Sequence, residues 1–375
     1  MRIPGGVRPG QRMLKILMRN RSDALQKPGG DTVLMERMRD GLQSIGHRVE
    51  FDLDFAADVR RYDLVHLFNL TLPDLIRPMA IEASAHGVPF VIHALQEDWP
   101  RFYNRALAAA IILEKYVSSG QPRDRLASAL AMLRECPAAE KPLCPEAARA
   151  ATILCTGEEE ARLIGLTYPG TRTDVVHLAP GVVNSLDPGG PGEFRRAYGV
   201  EDFVLCVGRL EPRKNQLALL AALEDEDIPV VFADGGFSYA AEYASACRKF
   251  ARRGRTLFTG RLSPQMLHSA HCAARVSCFP SWYELPGLAA LEAACLGRNM
   301  VASPWGTLPD YLGNACRYVE PDDLTGLRKA VLEAWESPPS AALRSAAARF
   351  TWEKTVQAVE SVYLRAAEGR NPVQK

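Results

Sequence analysis

Two basic side chains follow an apolar run in the second half of the chain, in the stretch VLCVGRLEPRKNQ. Val204–Val207 is typical of a buried strand that ends at Gly208, and Arg209 and Lys214 come before a helix that begins near Asn215. Cations at the carboxyl edge of a parallel sheet, next to a helix N-terminus, can bind an anion. Arginine can fork onto two phosphate oxygens, and lysine acts as a mobile point charge. We therefore predict a phosphate site here; a pair of solvated surface charges is the alternative.

Two carboxylates flank a predicted helix start in the stretch ELPGLAALE. Glu284 lies outside the helix, because Leu285 precedes a proline and is biased to extended geometry, whereas Pro286 suits the first helical position. Gly287 lets an anion approach the free N–H groups of the first turn, and Glu292 lies about 9 Å along the axis. A diphosphate docked there would have a ribose toward one acid and a sugar toward the other. The spacing matches a nucleotide diphospho-sugar; a capped amphipathic helix with surface glutamates is the alternative.

The surrounding elements predict two doubly wound α/β domains. Short β-branched runs alternate with helical stretches along the chain, as in parallel sheets covered by helices. The stretch 184–193 (NSLDPGGPGE) interrupts this alternation with glycine, proline and aspartate, and the alternation then restarts. Such composition is typical of a linker. Because open α/β sheets bind ligands at the carboxyl ends of their strands, we expect a site in a cleft between the domains.

Composition and missing motifs disfavour several classes of protein. The chain has 375 residues and a net charge of +1, so no overall field attracts nucleic acid. No run of 18 apolar residues occurs, and the basic, Gly/Pro-rich first dozen residues do not read as a secretory signal. The nine cysteines contain no C-x-x-C pair and indicate reduced thiols in a cytoplasm. The motifs of P-loop and dinucleotide-binding proteins are absent.

Several stretches together resemble one enzyme family. The segment VGRLEPRKNQ, followed by PSWYELPGLAALEAACLG, is similar to the retaining GT-B glycosyltransferases of the family-4 (group 1) type. The resemblance extends to PGGDTVLMERMRDGLQSIGHRV, YDLVHLFNLT and FTWEKTVQAVESVYLRA, and covers the chain from Met13 to about Ala367. It implies two Rossmann-like domains facing a cleft. The two domains are an acceptor-side domain at 13–184 and a nucleotide-sugar domain at 185–350. A helix at 351–368 is implied to cross back to the first domain.

The same resemblance implies roles for individual residues. Arg209 and Lys214 would neutralise the leaving diphosphate, and Glu284 would contact the transferred sugar. The donor-binding residues would be Glu292, Gly29, Gly30, Gly208, Gly287 and Leu288. No divalent metal and no other cofactor is expected, since arginine and lysine replace the metal in such enzymes.

A histidine after the fourth strand is implied to face the sugar. This residue is His93, in the stretch PFVIHALQEDW. A locally hydrogen-bonded strand-end histidine is the alternative, and Glu97 or Asp98 could carry part of the role. Asp234 and the two glycines after it end a predicted strand and form a further candidate contact to the nucleotide.

The function implied is transfer of a hexose from a UDP- or GDP-sugar to a glycan or lipid-linked acceptor, in cell-surface polysaccharide or glycoconjugate synthesis. One alternative is a nucleotide-sugar 2-epimerase, which needs acids and bases arranged for elimination at C2; the sequence shows no such cluster. Another is a non-catalytic sugar-nucleotide binder. The expected location is cytoplasmic. Peripheral membrane contact would involve the basic residues of the helical stretch 100–149, which otherwise form a solvated face: Arg101, Arg105, Lys115, Arg123 and Arg125.

Overall fold

The computed structural model describes residues 12–119, 123–180 and 190–368, without the side chains of Arg123 and Asp124. Most of the predicted linker at 184–193, and nearly all of the first dozen residues, lie outside this part of the chain. The strands are β1 (Lys15–Arg19), β2 (Arg48–Phe51), β3 (Leu64–Phe68), β4 (Phe90–His93), β5 (Thr152–Cys155), β6 (Thr173–Val175), β7 (Val204–Val207), β8 (Val230–Ala233), β9 (Thr256–Phe258), β10 (Val276–Phe279), β11 (Asn299–Ala302) and β12 (Arg317–Tyr318). The helices are α1 (Gly30–Ser44), α2 (Pro73–Ala85), α3 (Trp99–Ser119), α4 (Arg123–Ala131), α5 (Glu158–Thr167), α6 (Gly192–Tyr198), α7 (Gln216–Ala222), α8 (Ala241–Lys249), α9 (Pro264–Ala273), α10 (Leu288–Cys295), α11 (Leu308–Leu312), α12 (Leu324–Glu336), α13 (Ala341–Ala347) and α14 (Trp352–Glu368).

The chain divides into two compact units. Among the described residues, unit 1 contains those up to Glu97, then Pro142–Ala179, and those from Phe350 to Glu368. Unit 2 contains Asp98–Lys141 and Pro180–Arg349. Each unit is built on a six-stranded sheet.

Unit 1 has a parallel sheet in the order β2-β1-β3-β4-β5-β6. Its central strand β3 is buried at every position, as expected of a strand with helices on both faces. Helix α14 packs on α1, β3 and β4. The absence of a side chain at Gly41 permits this packing, because a Cβ there would overlap a methyl group of Val356.

Because unit 1 contains two buried imidazoles, we expect acid to destabilise the protein. His66 donates to or accepts from the Tyr363 hydroxyl at 2.5 Å, and its ring stacks 5.8 Å from that of His93. Burial lowers the pKa of His93 to about 3, and burial together with His93 lowers that of His66 well below its ordinary value of 6.5. The unfolded chain therefore binds more protons than the folded protein below about pH 6.5. The contribution of these two histidines to the free energy of unfolding is fully present above that pH and is lost progressively as the pH falls toward 3.

Urea unfolding at about pH 7.5 and about pH 5.5 measures this dependence. In the His93→Phe variant, which keeps an aromatic ring but cannot titrate, we expect a smaller loss of unfolding free energy between the two pH values. His86→Gln, at an exposed position after α2, is the matched control. An equal loss in His93→Phe and in the unsubstituted protein would contradict the prediction.

Unit 2 has a parallel sheet in the order β12-β11-β10-β7-β8-β9. Read from β9, the order is 3-2-1-4-5-6, that of a doubly wound dinucleotide-type sheet. The direction of winding reverses between β7 and β10, which are adjacent strands. In open α/β sheets, ligands bind at the carboxyl ends of the strands at this point of reversal.

Residues 98–141 form part of unit 2, although the sequence places them within the first domain at 13–184. Helix α3 packs against α7 and α8, and Phe102, Ala106 and Leu113 join the core of unit 2. The Tyr116 hydroxyl also donates to the Glu224 carboxylate at 2.6 Å. Chain order predicted that these helices belong to the first domain, because they lie between β4 and β5. A helical segment has no strand register, however, so chain order does not determine which sheet it packs against.

Two basic residues of α3 that the sequence marked for the surface have packing contacts. The guanidinium of Arg101 lies 4.1 Å from the ring centroid of Trp305, and that of Arg105 lies 5.8 Å from it. Within the described residues, no helix is both long and apolar enough to span a lipid bilayer. The cysteines carry free thiols, and burial raises the pKa of Cys206 to about 12.

Candidate active site

The left-handed conformation of Asn215 fixes the turn that carries Lys214. Gly208 follows β7 with a φ of +142°, and Lys214 ends a 3-10 turn at Pro212–Lys214. Asn215 then adopts a φ of +59°, a conformation that asparagine tolerates better than most residues. Its side-chain amide donates to the Pro280 carbonyl at 3.1 Å and to the Pro321 carbonyl at 2.8 Å. Asn215 therefore holds the turn after β7 against the segment after β10.

Lys214 and Glu284 are in direct contact. The Lys214 Nζ donates to Glu284 Oε1 at 2.5 Å, and the Ser281 hydroxyl donates to the same oxygen at 2.6 Å. Glu284 is 6% exposed. Burial alone would raise its pKa, but the charges of Lys214 and Arg213 and the two side-chain hydrogen bonds outweigh this effect and lower it. Glu284 is thus an ionised carboxylate held at the end of the sheet.

The backbone of Glu284 is fixed by the segment after β11. Its N–H donates to the Trp305 carbonyl at 3.1 Å, and its own carbonyl accepts from Thr307 N–H at 3.0 Å. Gly306 lies between these partners with a φ of +110° and pairs with Glu284 in an isolated parallel bridge. A Cβ on Gly306 would overlap the Glu284 carbonyl oxygen.

Helix α10 begins at Leu288, so the prediction that Pro286 is its first residue is wrong. Gly287 is the N-cap, and its φ of +82° keeps it out of the helix. No side chain caps the first turn. A Cβ on Gly287 would lie 3.2 Å from Glu284 Oε2, so a glycine here brings the helix start next to the carboxylate. Glu292 lies one helical turn after Leu288 and is 6% exposed.

Arg209 has contacts separate from the lysine–glutamate pair. Its Nε donates to Glu211 Oε1 at 2.7 Å, and its guanidinium lies 5.5 Å and 5.3 Å from the ring centroids of Phe237 and Tyr239. Gly208, the residue before Arg209, lies next to the Lys214 side chain, because a Cβ on Gly208 would be 3.5 Å from Lys214 Cε. The structure thus places both cations at the end of β7, with Arg209 directed toward the loop after β8.

Asp234, the further candidate in that loop, forms an ion pair. The Arg248 guanidinium donates to Asp234 Oδ2 at 2.6 Å, and the aspartate is 1% exposed. Its carboxylate therefore anchors helix α8 to the end of β8. A direct contact with a nucleotide has no support from this geometry.

The remaining predicted residues belong to unit 1. Gly29 is the N-cap of α1, and Gly30 is its first residue, with open space where a Cβ would lie. His93 ends β4 with no exposed surface, and its ring is parallel to that of Phe68 at 6.0 Å. Among the described residues, neither imidazole nitrogen of His93 has a hydrogen-bond partner. The locally hydrogen-bonded alternative for His93 is therefore not what the structure shows.

Sequence reasoning missed the residues that bring the charged groups together. Asn215, Ser281 and Gly306 carry no charge at neutral pH, and no role was predicted for their side chains, although Asn215 and Ser281 lie inside the segments that carry the resemblance. The signals available were the asparagine directly after the lysine and the glycine in PWGTLPD. Neither signal identifies its partner, because the contacts span 65 residues for Asn215 and Pro280.

Two doubly wound units of this kind define the GT-B fold, and solved structures confirm it. A sucrose-phosphate synthase from Thermosynechococcus elongatus aligns with a TM-score of 0.66 at 18% identity, over 94% of this chain and 99% of that chain. HepE of Anabaena in complex with UDP and glucose aligns with a TM-score of 0.65 at 16% identity, over 93% of this chain and 98% of that chain. At these identities the likeness establishes the fold.

The family is given by the sequence of unit 2. Residues 193–350 match the family model described as glycosyl transferases group 1. The matched segment contains Arg209, Lys214, Glu284 and Glu292, so the resemblance to group 1 glycosyl transferases found in the sequence is confirmed for this part of the chain.

The relatives with curated descriptions that follow are glycosyltransferases. D-inositol 3-phosphate glycosyltransferase of Mycolicibacterium smegmatis is 29% identical over 229 residues, which are 57% of this chain and 52% of that protein. O-antigen chain mannosyltransferase B of Escherichia coli is 27% identical over 44% of this chain and 46% of that protein. The chain spans about half the length of these relatives.

Proposed function

We propose that this protein is a retaining glycosyltransferase that transfers a hexose from a UDP- or GDP-sugar to a glycan or lipid-linked acceptor. The observation that carries the proposal is the contact between Lys214 and Glu284 at the reversal point of the unit 2 sheet. It supports a site that pairs a phosphate-binding cation with a sugar-binding acid. The uncapped first turn of α10 next to Glu284 supplies N–H groups for the same phosphates.

The chemistry of the proposed transfer requires positive charge at the leaving group. The C1–O bond to the diphosphate breaks while the acceptor oxygen bonds to C1 on the same face, and the acceptor proton passes to a departing phosphate oxygen. Lys214 has three N–H donors and uses one on Glu284, so others can point at phosphate. A positive charge that is already in position stabilises the transition state more strongly than it stabilises the bound donor.

The sugar and the ribose are assigned to opposite sides of the diphosphate. Glu284 would accept hydrogen bonds from sugar hydroxyls, because it is held ionised at the start of α10. Glu292, inside α10, would accept from the two ribose hydroxyls. Arg209 would fork onto the phosphates after it leaves or shares its bond with Glu211. From unit 1, Gly29 and Gly30 would bind the donor, and His93 would face the sugar.

The relatives guide the choice of substrates to test. The HepE structures contain UDP, glucose and UDP-glucose, which supports a UDP-sugar as the first donor. An O-antigen mannosyltransferase and an inositol-phosphate glycosyltransferase among the relatives support surface polysaccharide or glycoconjugate synthesis. We propose a cytoplasmic enzyme that meets its lipid-linked acceptor at the membrane surface.

A thermal-shift series with UDP, GDP, ADP and CMP tests the donor class. A ligand at 100 times its dissociation constant stabilises the folded protein by about 2.7 kcal/mol, so the correct nucleotide should raise Tm by several degrees. We expect UDP or GDP to give the largest shift. Equal shifts with all four nucleotides, or none, would contradict the proposal.

Product analysis separates the transferase from its two alternatives. Incubation with UDP-glucose and no acceptor should slowly release UDP and glucose from a transferase. Isomerised donor in the mixture would indicate an epimerase, and binding of UDP with no turnover under any acceptor would indicate a non-catalytic binder.

We further propose that transfer needs no divalent metal, because Lys214 and Arg209 would supply the positive charge beside the leaving diphosphate. Activity in excess EDTA should equal that in added Mg²⁺ or Mn²⁺ within about twofold, since the stabilising charge belongs to the protein. Loss of turnover in EDTA, restored by Mg²⁺, would overturn this part of the proposal.

A further inference from the structure

A buried histidine on α9 faces the helix that carries Glu292. His271 is 1% exposed, and neither of its ring nitrogens has a hydrogen-bond partner among the described residues. A neutral imidazole carries one N–H donor and one acceptor nitrogen. To leave such groups desolvated and unpaired costs about 1–3 kcal/mol each, so the arrangement calls for an explanation.

The carboxylate of Glu292 lies close to His271. The distance from His271 Nε2 to Glu292 Oε2 is 3.7 Å, which is too long for a hydrogen bond and short enough to become one after a small rotation. Burial, with a smaller contribution from His268, lowers the pKa of His271 to about 3. The imidazole is therefore neutral at physiological pH, and it can offer Glu292 an N–H without adding a charge.

We propose that His271 is a positioning residue for Glu292: its Nε2–H donates to one carboxylate oxygen of Glu292 when the other oxygen accepts from a nucleotide ribose. This inference rests on the proposed function, in which Glu292 holds the ribose. A carboxylate has two oxygens and can serve both partners at once. The hydrogen bond pairs a donor that is otherwise unpaired, so ligand binding and His271 stabilise the same orientation of Glu292.

Ligand binding to paired variants tests the proposal. His271→Phe keeps an aromatic ring and removes both nitrogens, and His271→Gln restores an amide N–H near the position of Nε2. We expect His271→Phe to weaken UDP binding about tenfold, and His271→Gln to recover most of this loss. Inorganic pyrophosphate lacks the ribose, so its binding should be unchanged. In turnover, the KM for the donor should rise while kcat changes less than about twofold.

A matched control lies one turn earlier on the same helix. His268 is also buried, but its Nε2 is 3.5 Å from Cys272 Sγ, so His268→Phe should leave UDP binding unchanged. Melting curves of all variants separate weaker binding from lost folding. Equal weakening of UDP and pyrophosphate by His271→Phe would indicate a purely structural role and would overturn the inference.

A double-mutant cycle with Glu292→Gln distinguishes the failure of this inference from that of the proposed function. If His271 acts through Glu292, His271→Phe should have little further effect in the Glu292→Gln background. If Glu292→Gln weakens UDP binding but His271→Phe does not, the inference is wrong and the ribose assignment stands. If Glu292→Gln leaves UDP binding unchanged, the ribose assignment itself is wrong, and the role of His271 falls with it.

Discussion

Replacement of Lys214 by alanine is expected to lower kcat by about 10²–10³-fold, because one preorganised charge at a leaving group is worth about 2.7–4 kcal/mol. The ammonium is the group that contacts Glu284, and the Lys214 side chain is 20% exposed, so it is not closed off from solvent. Without it, the diphosphate would depart with less compensating charge. Steady-state turnover with saturating donor measures the loss.

The variant also leaves Glu284 without its ammonium partner. Because the pKa of this carboxyl is lowered in part by Lys214, we expect the pKa to rise and Tm to fall by a few degrees with the fold retained. Circular dichroism and melting curves check that the fold persists. Lys249→Ala, which removes the same charge from an exposed end of α8, should leave kcat unchanged. Full activity in Lys214→Ala would show that the phosphate site is elsewhere.

The second large effect is expected from Gly306→Ala. An alanine at a φ of +110° is strained, and its Cβ would overlap the Glu284 carbonyl oxygen, so the bridge between the two residues must open. We expect a loss of about 2–4 kcal/mol in the free energy of unfolding and at least a tenfold loss of turnover, because Glu284 moves away from Lys214. Urea unfolding and donor turnover measure the two effects.

Gly313→Ala is the matched control for this variant. Gly313 also has a positive φ, +47°, but a Cβ there would meet nothing within 4 Å. It should cost only about 1 kcal/mol and leave turnover nearly unchanged, since the strain is confined to the backbone of an open turn. Equal effects of the two substitutions on turnover would show that the bridge to Gly306 does not position Glu284.

The architecture of unit 2 could be predicted because local signals and the global fold agree. The apolar run before Gly208 is the strand β7, and the alternation after it produces the predicted sheet. The approximate places of Lys214 and Glu284 follow from the strand ends alone. Their contact does not, because it depends on backbone conformations of Asn215 and Gly306 that are set by distant carbonyl groups.

Other features could not be predicted because helix patterns carry no pairing information. The start of α10 at Leu288 depends on a left-handed Gly287 packed against a carboxylate, whereas the proline rule favoured Pro286. The membership of 98–141 in unit 2 depends on which apolar surface α3 covers, and amphipathic spacing does not identify that surface. The sequence also does not predict that the ring nitrogens of His93 and His271 lack hydrogen-bond partners, because the burial of a side chain depends on the assembled unit.

The return of α14 to unit 1 has a consequence for biosynthesis. Ribosomes add about 5–20 residues per second, and domains generally fold as they emerge. Unit 2 is complete once Arg349 has emerged, but unit 1 still lacks α14, whose Tyr363 bonds to His66 and whose Val356 packs on Gly41. Unit 1 of the nascent polypeptide therefore keeps an uncovered apolar surface until α14 has been translated, and termination before α14 should expose this surface to chaperones and proteases.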